Sequence, residues 1–399
     1  MKLKTLLITL SILGYLSQAR SQNPTVQNIL NDVEIDSLTF FVKQLTGEEQ
    51  VIIGGVPDTI FSRHKDQPGN EKAFQFVREK FIGYGLEVNS LQFSSSGKNL
   101  LGQKTGTLFP NRKFILGAHY DNVGFAVAPG ADDNASGSAA VIEAARVFSD
   151  YSFPFTIVFA LWDEEEQGLI GSRAYAESAV FNNDSILGYI NMDMLGWDGN
   201  NDSVADLHVR PVGSSIQLAD KAIAANMVYD INLDLHIVNP GSSNTDHAPF
   251  WDNGFTAIGI DEEYDGDFNP FWHSPADSLA QFNVPFYEKC AKLAYATLAE
   301  CASDLAGVSG VEVVSALEHT NLYPNPASNE IMVSHSALVS RVVVYNELGK
   351  LAIDQLVKNT QQIHLDVSNL PNGMYFLQVY SESGVFVKRM VITNTNRNH

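Results

Sequence analysis

Four apolar runs that alternate with helix-like segments constrain the fold of this chain more than any other feature. The runs lie at 114–118, 155–162, 186–192 and 255–260. Helical periodicity appears at 135–148, 169–179 and 286–305, and two further helices are indicated within 23–84. Runs that are apolar on both faces and alternate with helices predict a largely parallel mixed sheet covered on both sides, an α/β/α sandwich.

The pattern changes after about residue 306, and the stretch at 307–318 is typical of a linker. Beyond it, short alternating segments lie at 330–334, 341–346, 351–356, 363–367, 374–380 and 385–393. Several short strands separated by Gly and Asn turns predict a small all-β sandwich at 319–399. The chain has 399 residues, which is long enough for two or three domains, and the α/β domain would span 22–306.

The N-terminus has the pattern of a targeting segment. Lys2 and Lys4 precede an apolar run at 5–16, and small residues follow, including Ala19 and Ser21. We interpret 1–21 as a secretory signal peptide, because the run is too short to span a bilayer and no polar face interrupts it. Cleavage after either small residue fits, and we place it after Ser21. No later segment is long and apolar enough to be a membrane span.

Charge and cysteine content exclude several classes of protein. The net charge of −21 argues against nucleic acids and anionic membranes as partners, since both require basic patches. Cys290 and Cys301 fall in one predicted helix, where a rise of ~1.5 Å per residue separates them by ~16 Å. We therefore expect two buried free thiols, with neither a disulfide nor a cysteine metal site.

Each apolar run leads directly into a histidine or a carboxylate. The first leads to His119, the second to four acidic residues at 163–166, the third to Asp193, and the fourth to an acidic loop that reaches His273. Because sites form beyond the carboxyl ends of strands in open α/β sheets, these groups should share one edge. Imidazoles and carboxylates without cysteine suit Zn²⁺, with Mn²⁺ or Co²⁺ as substitutes, and fit a hydrolytic site.

Each of these groups taken alone also has an ordinary structural explanation. His119 and Asp121 could form a surface turn, and the carboxylates at 163–166 could begin a helix, where negative charge is favoured. Asp193 could be a cap, and His273 a packed loop residue. The acidic loop at 261–267 is either a solvated loop or a calcium site. Only the convergence of four strand ends favours a metal centre.

Five separated motifs resemble those of the M28 family of zinc peptidases. They are His119-Tyr120-Asp121, Gly130-Ala131-Asp132-Asp133-Asn134-Ala135-Ser136-Gly137, Glu165-Glu166-Gln167-Gly168-Leu169, Asn191-Met192-Asp193 and Asn269-Pro270-Phe271-Trp272-His273. They stand in the family's order, and the resemblance covers about 60–300. It implies a zinc-aminopeptidase fold with two zinc ions per chain, and hydrolysis of N-terminal residues from peptides by a water that bridges the two ions.

The resemblance also implies a role for each residue. The ligands would be His119, Asp133 and Asp193 for one ion, and Asp133, Glu166 and His273 for the other. Asp133 would bridge both ions and would be followed by a cis peptide bond to Asn134. Glu165 would be the general base and Asp121 would orient His119, both of which are chemically reasonable roles. The assignment of Glu165 depends on the Gly-Leu pair that follows, and Glu164 is the alternative base.

Two other functions share this scaffold. Glutaminyl cyclases use one zinc ion and resemble Ala-Thr-Asp-Ser-Ala where this chain has Ala131-Asp132-Asp133-Asn134-Ala135, which favours the peptidase. Non-catalytic binding proteins of the superfamily lack metal ligands, and none is missing here. Among peptidases, an acidic pocket without an arginine clamp favours a substrate ammonium group, and therefore an aminopeptidase over a carboxypeptidase. The sequence does not place Arg173 or Arg210.

The C-terminal segment resembles a sorting domain of the type IX secretion system of Bacteroidetes. The motifs are Tyr323-Pro324-Asn325-Pro326, Leu370-Pro371-Asn372-Gly373-Met374-Tyr375 and Lys388-Arg389-Met390-Val391-Ile392. The resemblance implies an interaction with the secretion machinery and a secreted or cell-surface protein of a Bacteroidetes-type bacterium. A β module that binds carbohydrate or protein is the alternative.

Overall fold

A computed structural model describes residues 22–124, 129–304, 320–346, 350–381 and 384–393. The predicted signal peptide at 1–21 and the predicted linker at 307–318 lie outside these residues. The chain divides after Asp304 into two compact units, each of which has its own hydrophobic core.

The first unit contains helices and strands in alternation. The helices are α1 Pro24–Asn31, α2 Ile35–Thr46, α3 Pro68–Gly83, α4 Gly137–Ser149, α5 Ile170–Phe181, α6 Ser215–Val228, α7 His247–Asp252 and α8 Val284–Ser303. The strands are β1 Val51–Ile53, β2 Val56–Asp58, β3 Glu87–Gln92, β4 Lys98–Lys104, β5 Phe109–His119, β6 Phe155–Trp162, β7 Ser185–Asp193, β8 Val204–His208, β9 Asp234–Val238 and β10 Ala257–Glu262. A kinked turn at Ala131–Ser136 precedes α4, and a short 3₁₀ turn lies at Leu279–Gln281.

Eight of these strands form one mixed sheet in the order β3-β4-β6-β5-β7-β10-β8-β9. The four central strands, β6, β5, β7 and β10, run parallel to one another, and they are the four apolar runs of the sequence. Antiparallel pairs extend the sheet on both sides of this centre. The predicted mixed, largely parallel sheet is confirmed.

Helices cover both faces of the sheet, because its central strands are apolar on both faces. Every residue of β6 and of β10 is buried. Alternate positions contribute to two separate cores. Leu116 packs in the core that contains residues of α2, α4 and α8, whereas Ile115 packs in the core that contains residues of α5 and α7. This two-sided packing confirms the predicted α/β/α sandwich.

The last helix of the first unit, α8, confirms the cysteine prediction. Asn283 caps its N-terminus by accepting a hydrogen bond from the Phe286 N–H. Cys290 and Cys301 both lie on this helix, where they are buried free thiols. In the described ranges, no helix has both the length and the apolar character required to cross a membrane.

The second unit consists of antiparallel β-strands. They are β11 Asn321–Tyr323, β12 Glu330–Asn346, β13 Leu351–Asp366, β14 Gly373–Ser381 and β15 Gly384–Ile392. The sheet order is β11-β12-β14-β15, and β13 pairs with β12. The all-β prediction is confirmed, but four of the predicted short segments join into two long strands. The break expected within β12 is a shift in pairing register between Ser334 and Val339 rather than a turn, since a bulge interrupts the pattern without reversing the chain.

Candidate metal centre

The carboxyl ends of the four central strands carry the predicted site residues to one edge of the sheet. His119 ends β5, Asp133 lies in the turn before α4, Glu165 and Glu166 follow β6, Asp193 ends β7, and His273 lies in the loop after β10. Five of these residues line a cleft of about 660 Å³, and the sixth, His119, is buried beneath the cleft. The structure therefore brings together all five residues predicted as metal ligands.

Asp133 stands between two imidazole rings. Its Oδ1 lies 3.3 Å from His119 Nε2, and its Oδ2 lies 3.0 Å from His273 Nε2. His119 Nε2 is also 3.2 Å from Asp193 Oδ1, and His273 Nε2 is 3.1 Å from Glu166 Oε2. One carboxylate thus offers one oxygen to each of two separate groups of ligand atoms.

Three overlapping groups of side chains could each hold a metal ion. Two of them share Asp133: one comprises His119, Asp133 and Asp193, and the other comprises Asp133, Glu166 and His273. The third comprises His119, Glu165 and Glu166, and in each group the ligand atoms lie within 4.8 Å of one another. Nitrogen and oxygen donors without cysteine fit zinc. Glu166 Oε1 is buried and has no hydrogen-bond partner in the described part of the chain, so a cation would satisfy it. The residues present therefore fit two zinc ions.

Glu165 and Glu164 have different surroundings. The Glu165 carboxylate faces the site, with Oε2 4.0 Å from His119 Nε2, and it belongs to neither of the two groups that share Asp133. Burial raises its pKa well above the ordinary range. The Glu164 carboxylate instead lies 3.4 Å from the hydroxyls of Ser94 and Ser96. This arrangement favours Glu165 over Glu164 as the base.

Asp121 lies behind the candidate ligands and contacts three of the site residues. Its Oδ1 is 3.5 Å from His119 Nδ1, on the side of the ring away from Asp133. It also accepts hydrogen bonds from the backbone N–H groups of Glu165, at 3.1 Å, and Glu166, at 3.3 Å. Asp121 therefore lies within ion-pair distance of the ring and holds the turn that carries both glutamates, a second contact that the sequence did not indicate.

The crowding of charge shifts the pKa values of the site residues in opposite directions. Burial raises the pKa of Glu166 to about 7 and that of Asp193 to about 6. Burial would also raise the pKa of Asp133, but hydrogen bonds with His119 and His273 lower it below its ordinary value. For His273, burial lowers the pKa and its two carboxylate partners raise it, with a net rise to about 9. Perturbed groups of this kind cluster at functional sites.

The turn that carries Asp133 has an unusual backbone. Gly130 adopts a left-handed φ of 51°, and a side chain there would meet the Asp133 carbonyl oxygen at 2.6 Å. The peptide bond between Asp133 and Asn134 is cis, as predicted. The N–H groups of Asp132 and Asp133 donate to the carboxylate of Asp277, at 2.9 and 3.1 Å. The conformation of this turn is therefore fixed by specific contacts.

Left-handed backbone also occurs at four positions other than glycine in or next to the lining of the cleft. Glu164, Leu169, Met194 and His273 have φ values of 58°, 61°, 51° and 54°. Each such position costs about 1–3 kcal/mol, and strain of this kind persists where the surrounding structure determines the conformation. Two of these residues adjoin site carboxylates, and His273 is itself a candidate ligand. The left-handed backbone at these positions therefore helps to set the directions of the neighbouring site side chains.

The cleft combines an acidic floor with an apolar wall. The wall is formed by Leu169, Met194, Tyr264, Phe268 and Trp272. None of the described residues that line the cleft is a lysine or an arginine. Arg173 pairs with Asp252 at 3.4 Å, and Arg210 donates to the Gly241 carbonyl, so both are used elsewhere. Neither Arg173 nor Arg210 is among the described residues that line the cleft.

The acidic loop at 261–267 does not form a second group of ligands. Asp261 and Glu262 are buried at the end of β10, and Asp267 accepts hydrogen bonds from the Trp197 indole and the Asn200 N–H. Within the described ranges, every group of His, Cys, Asp and Glu that could hold a metal lies at the cleft. The calcium site remains a prediction without structural support.

Sequence reasoning missed three charged residues that contribute to this site. Asp246 is fully buried before α7, where burial raises its pKa to about 7, and its charge helps raise the pKa of Glu165. Its position at the start of a helix would have been read as a cap. Asp277 and Arg63 hold the turn around Asp133 through backbone groups, and no spacing pattern indicates a contact of that kind.

Comparison with known proteins defines the class to which this fold and site belong. The model of peptidase family M28 matches residues 99–298, which is 200 of the 399 residues. The chain belongs to peptidase family M28. The model of the secretion system C-terminal sorting domain matches residues 321–393. Both resemblances found in the sequence are thereby confirmed.

Two curated relatives each match about half of the chain. Leupeptin-inactivating enzyme 1 of Streptomyces exfoliatus is 29% identical over 244 residues, which is 56% of this chain and 53% of that protein. Aminopeptidase YwaD of Bacillus subtilis is 28% identical over 218 residues, which is 52% of this chain and 45% of that protein. The chain spans about half the length of these curated relatives.

Solved structures share the fold at low sequence identity. The LapA aminopeptidase of Legionella pneumophila superposes with a TM-score of 0.61 at 22% identity, covering 70% of this chain and 75% of that one. A glutaminyl cyclase of Bacteroides thetaiotaomicron superposes with a TM-score of 0.53 at 17% identity, covering 67% of this chain and 97% of that one. These likenesses confirm a zinc-aminopeptidase-like fold, and they are compatible with either activity.

Proposed function

We propose that this chain is a secreted dinuclear zinc aminopeptidase that removes N-terminal residues from peptides. The observation that carries the proposal is the position of Asp133, whose two carboxylate oxygens lie 3.3 and 3.0 Å from two different histidines. A single-metal site needs no carboxylate shared between two ligand groups. Bridging of two ions by one carboxylate explains this geometry directly.

His119, Asp133 and Asp193 would hold one zinc ion, and Asp133, Glu166 and His273 the other. Zinc bound there would supply an acidified water and polarise the scissile carbonyl. Asp121, whose Oδ1 lies 3.5 Å from His119 Nδ1, would orient the ring so that Nε2 is directed into the site. The buried carboxylates lose repulsion when cations bind, so this donor set is better suited to the loaded state than to the metal-free state.

Glu165 is the proposed general base. Its carboxylate faces the site, and burial raises its pKa, which strengthens it as a proton acceptor. It takes a proton from the attacking water as the water oxygen bonds to the carbonyl carbon. It then gives that proton to the leaving nitrogen as the C–N bond breaks. The proton taken from water thus leaves on the new amine, and Glu165 returns to its ionised form.

The charge of the cleft favours a free amino terminus as the group that is bound. Four carboxylates line the cleft and no described lining residue is a lysine or an arginine, so an ammonium group is favoured over a carboxylate. The wall formed by Leu169, Met194, Phe268 and Trp272 offers apolar contact to the side chain of the first residue. Both features support an aminopeptidase rather than a carboxypeptidase.

The C-terminal unit supports export of the enzyme. We propose that 1–21 is a signal peptide, 22–306 the peptidase domain, 307–318 a linker and 319–399 the sorting domain. The match to the sorting-domain model at 321–393 supports recognition by the secretion machinery of a Bacteroidetes-type bacterium, and therefore a secreted or cell-surface location.

A single-zinc glutaminyl cyclase is the second candidate, and the shared fold favours its consideration. The full chain should be stripped with a chelator, titrated with zinc and assayed on leucine anilide, N-acetyl-leucine anilide and an N-terminal glutaminyl peptide. We expect zinc to restore release of the amine from leucine anilide, with no cleavage of the acetylated compound. Ammonia release from the glutaminyl peptide, with leucine anilide left intact, would establish the cyclase instead.

A further inference from the structure

Arg63 is a buried cation in contact with the turn that carries Asp133. It is 0% exposed, and among the described residues it is the only lysine or arginine that is buried. Burying a cation is costly unless it is paired and hydrogen-bonded, so such a residue requires an explanation. Neither the proposed base nor the two groups of candidate ligands includes it.

The guanidinium group joins three separate segments of backbone. Nη1 donates to the carbonyls of Leu45 and Pro129, Nη2 donates to that of Gly130, and Nε donates to that of Tyr120, at 2.7–2.8 Å. Tyr120 directly follows His119, and Gly130 begins the turn that carries Asp133. The guanidinium group therefore links the end of β5, the turn that carries Asp133 and the end of α2 by hydrogen bonds.

These four acceptors are neutral carbonyls, so the positive charge of Arg63 acts on the acidic groups nearby. Burial lowers its pKa to about 10, while Asp277, Asp121 and Asp133 favour its charged form. It therefore stays protonated near neutral pH. A fixed cation below a cluster of carboxylates reduces their mutual repulsion.

Asp277 holds the same turn through backbone N–H groups, whereas Arg63 holds it through carbonyls. The Asp277 carboxylate accepts hydrogen bonds from the N–H groups of Asp132 and Asp133, and Arg63 donates to the carbonyls of Pro129 and Gly130. Gly130 allows the close approach, because a side chain there would lie 3.1 Å from Arg63 Nη2. The turn is thus fixed at its start and at its functional residue.

We propose that Arg63 is a positioning residue for the metal centre, one that sets the turn so that Asp133 presents its two oxygens to both ligand groups at once. The proposal rests on the two-metal site described above as the proposed function. A lysine cannot replace it, because one ammonium group cannot span carbonyls on three segments as the planar fork of a guanidinium does. Because Asp133 serves both groups, loss of this support should weaken both sites together.

The test is zinc binding by the folded full chain, measured by competition with a chromophoric chelator for wild type, Arg63→Lys and the matched control Arg146→Lys. Arg146 also makes a two-point contact, with the buried carboxylate of Glu143, but it lies at the far end of α4. We expect Arg63→Lys to lose about 10–100-fold in zinc affinity at both sites in parallel, the range typical of residues that orient ligands. The control should keep wild-type affinity even if it melts at a lower temperature.

Arg63→Lys that folds and binds both zinc ions with wild-type affinity would overturn the proposal. If Arg63→Lys does not fold, Asp277→Asn decides, because it weakens the other anchor of the same turn. A parallel loss at both sites supports the proposal, and wild-type affinity overturns it. The readout is independent of turnover, so a wild-type chain that binds two zinc ions without cleaving leucine anilide would refute the proposed activity and leave the Arg63 result standing.

Discussion

In the unit that ends at Asp304, carboxylates and imidazoles are buried together, whereas no carboxylate, lysine or arginine is buried among the described residues of the C-terminal unit. His119, Asp133 and Asp193 are each less than a tenth exposed. In the described residues of the C-terminal unit, the buried polar residues are Thr320 and His335, and neither is a carboxylate. Both units have a well-packed apolar core, so packing alone does not account for the difference.

This difference indicates that buried charge in the first unit has a functional rather than a structural role, because burying it is costly. Desolvating several carboxylates destabilises a fold unless cations, hydrogen bonds or a ligand compensate. The first unit concentrates such groups at the ends of four parallel strands, where a bound metal would compensate. The second unit has no comparable group among its described residues and leaves ion pairs such as Arg341–Asp354 in contact with water.

The largest effect is expected at the proposed base. Glu165→Gln should lower kcat by about 10²–10⁴-fold, because the amide cannot accept the proton from water. Both zinc ions should remain bound, since Glu165 lies outside the two ligand groups that share Asp133. The matched control is Glu164→Gln, whose carboxylate contacts Ser94 and Ser96 and which should stay near wild-type kcat. If Glu164→Gln loses activity and Glu165→Gln does not, the general base is Glu164.

Zinc should stabilise the first unit more strongly as pH rises. Raised folded-state pKa values favour the protonated folded form. The contributions of Glu166 and Asp193 are therefore full below their ordinary pKa values of 4.5 and 3.8 and are lost as pH rises through about 7 and 6. The contribution of His273 to stability is lost as pH rises from 6.5 through about 9. Loss of protons from Glu166, Asp193 and His273 therefore destabilises the metal-free fold as pH rises.

Zinc binds the deprotonated ligands, and it should therefore offset this loss. Melting temperatures measured with zinc and with chelator should diverge as pH is raised from about 5.5 to about 8. A zinc-induced increase in melting temperature that shrinks over this range would contradict the assignment of these groups as ligands.

A much smaller effect is expected for the surface charges of the C-terminal unit. Arg341→Ala removes an ion pair in which Nη2 lies 2.6 Å from the Asp354 carboxylate, and both side chains are about one-third exposed. Exposed pairs contribute about 0–1 kcal/mol, and salt screens them further. The free energy of unfolding of this unit, measured in urea, should therefore fall by no more than about 1 kcal/mol. A loss above about 2 kcal/mol would show that its charges are structurally important after all.

The smallest effect is expected when the second unit is removed entirely. A chain that ends at Asp304 keeps every candidate site residue and the complete eight-stranded sheet. Its kcat/KM on leucine anilide should stay within about two-fold of the full chain, because each unit has its own core. A truncated chain that unfolds, or that binds zinc without activity, would show that the second unit supports catalysis.

The sequence predicted the centre of the fold better than its edges, for a physical reason. Central strands such as β6 are buried on both faces and therefore read as continuous apolar runs. The edge strands β3 and β9 are mostly exposed, so their residues carry neither a continuous run nor a clear alternation. Local patterns cannot show which short polar segment pairs with a sheet edge.

The same limit applies to the site. Candidate ligands at strand ends, such as His119 and Asp193, could be predicted from the apolar runs that precede them, whereas the choice of Glu165 within the acidic run at 163–166 depends on the family resemblance. Residues that act through backbone groups could not be predicted, because Arg63 precedes Asp133 by 70 positions and its guanidinium, among the described residues, donates its hydrogen bonds to backbone carbonyls. Burial and hydrogen bonding, rather than residue type, mark such a residue.

The most direct test of the two-metal site is the number of zinc ions bound tightly by wild type, Asp193→Asn and Asp133→Asn, measured by metal analysis after desalting. Wild type should hold two. Asp193→Asn should lose one, because Asp193 belongs to one ligand group, and Asp133→Asn should lose both, because Asp133 belongs to both. A wild-type chain that holds one zinc ion, or an Asp133→Asn variant that keeps a tight one, would contradict the central claim that this carboxylate bridges two metal sites.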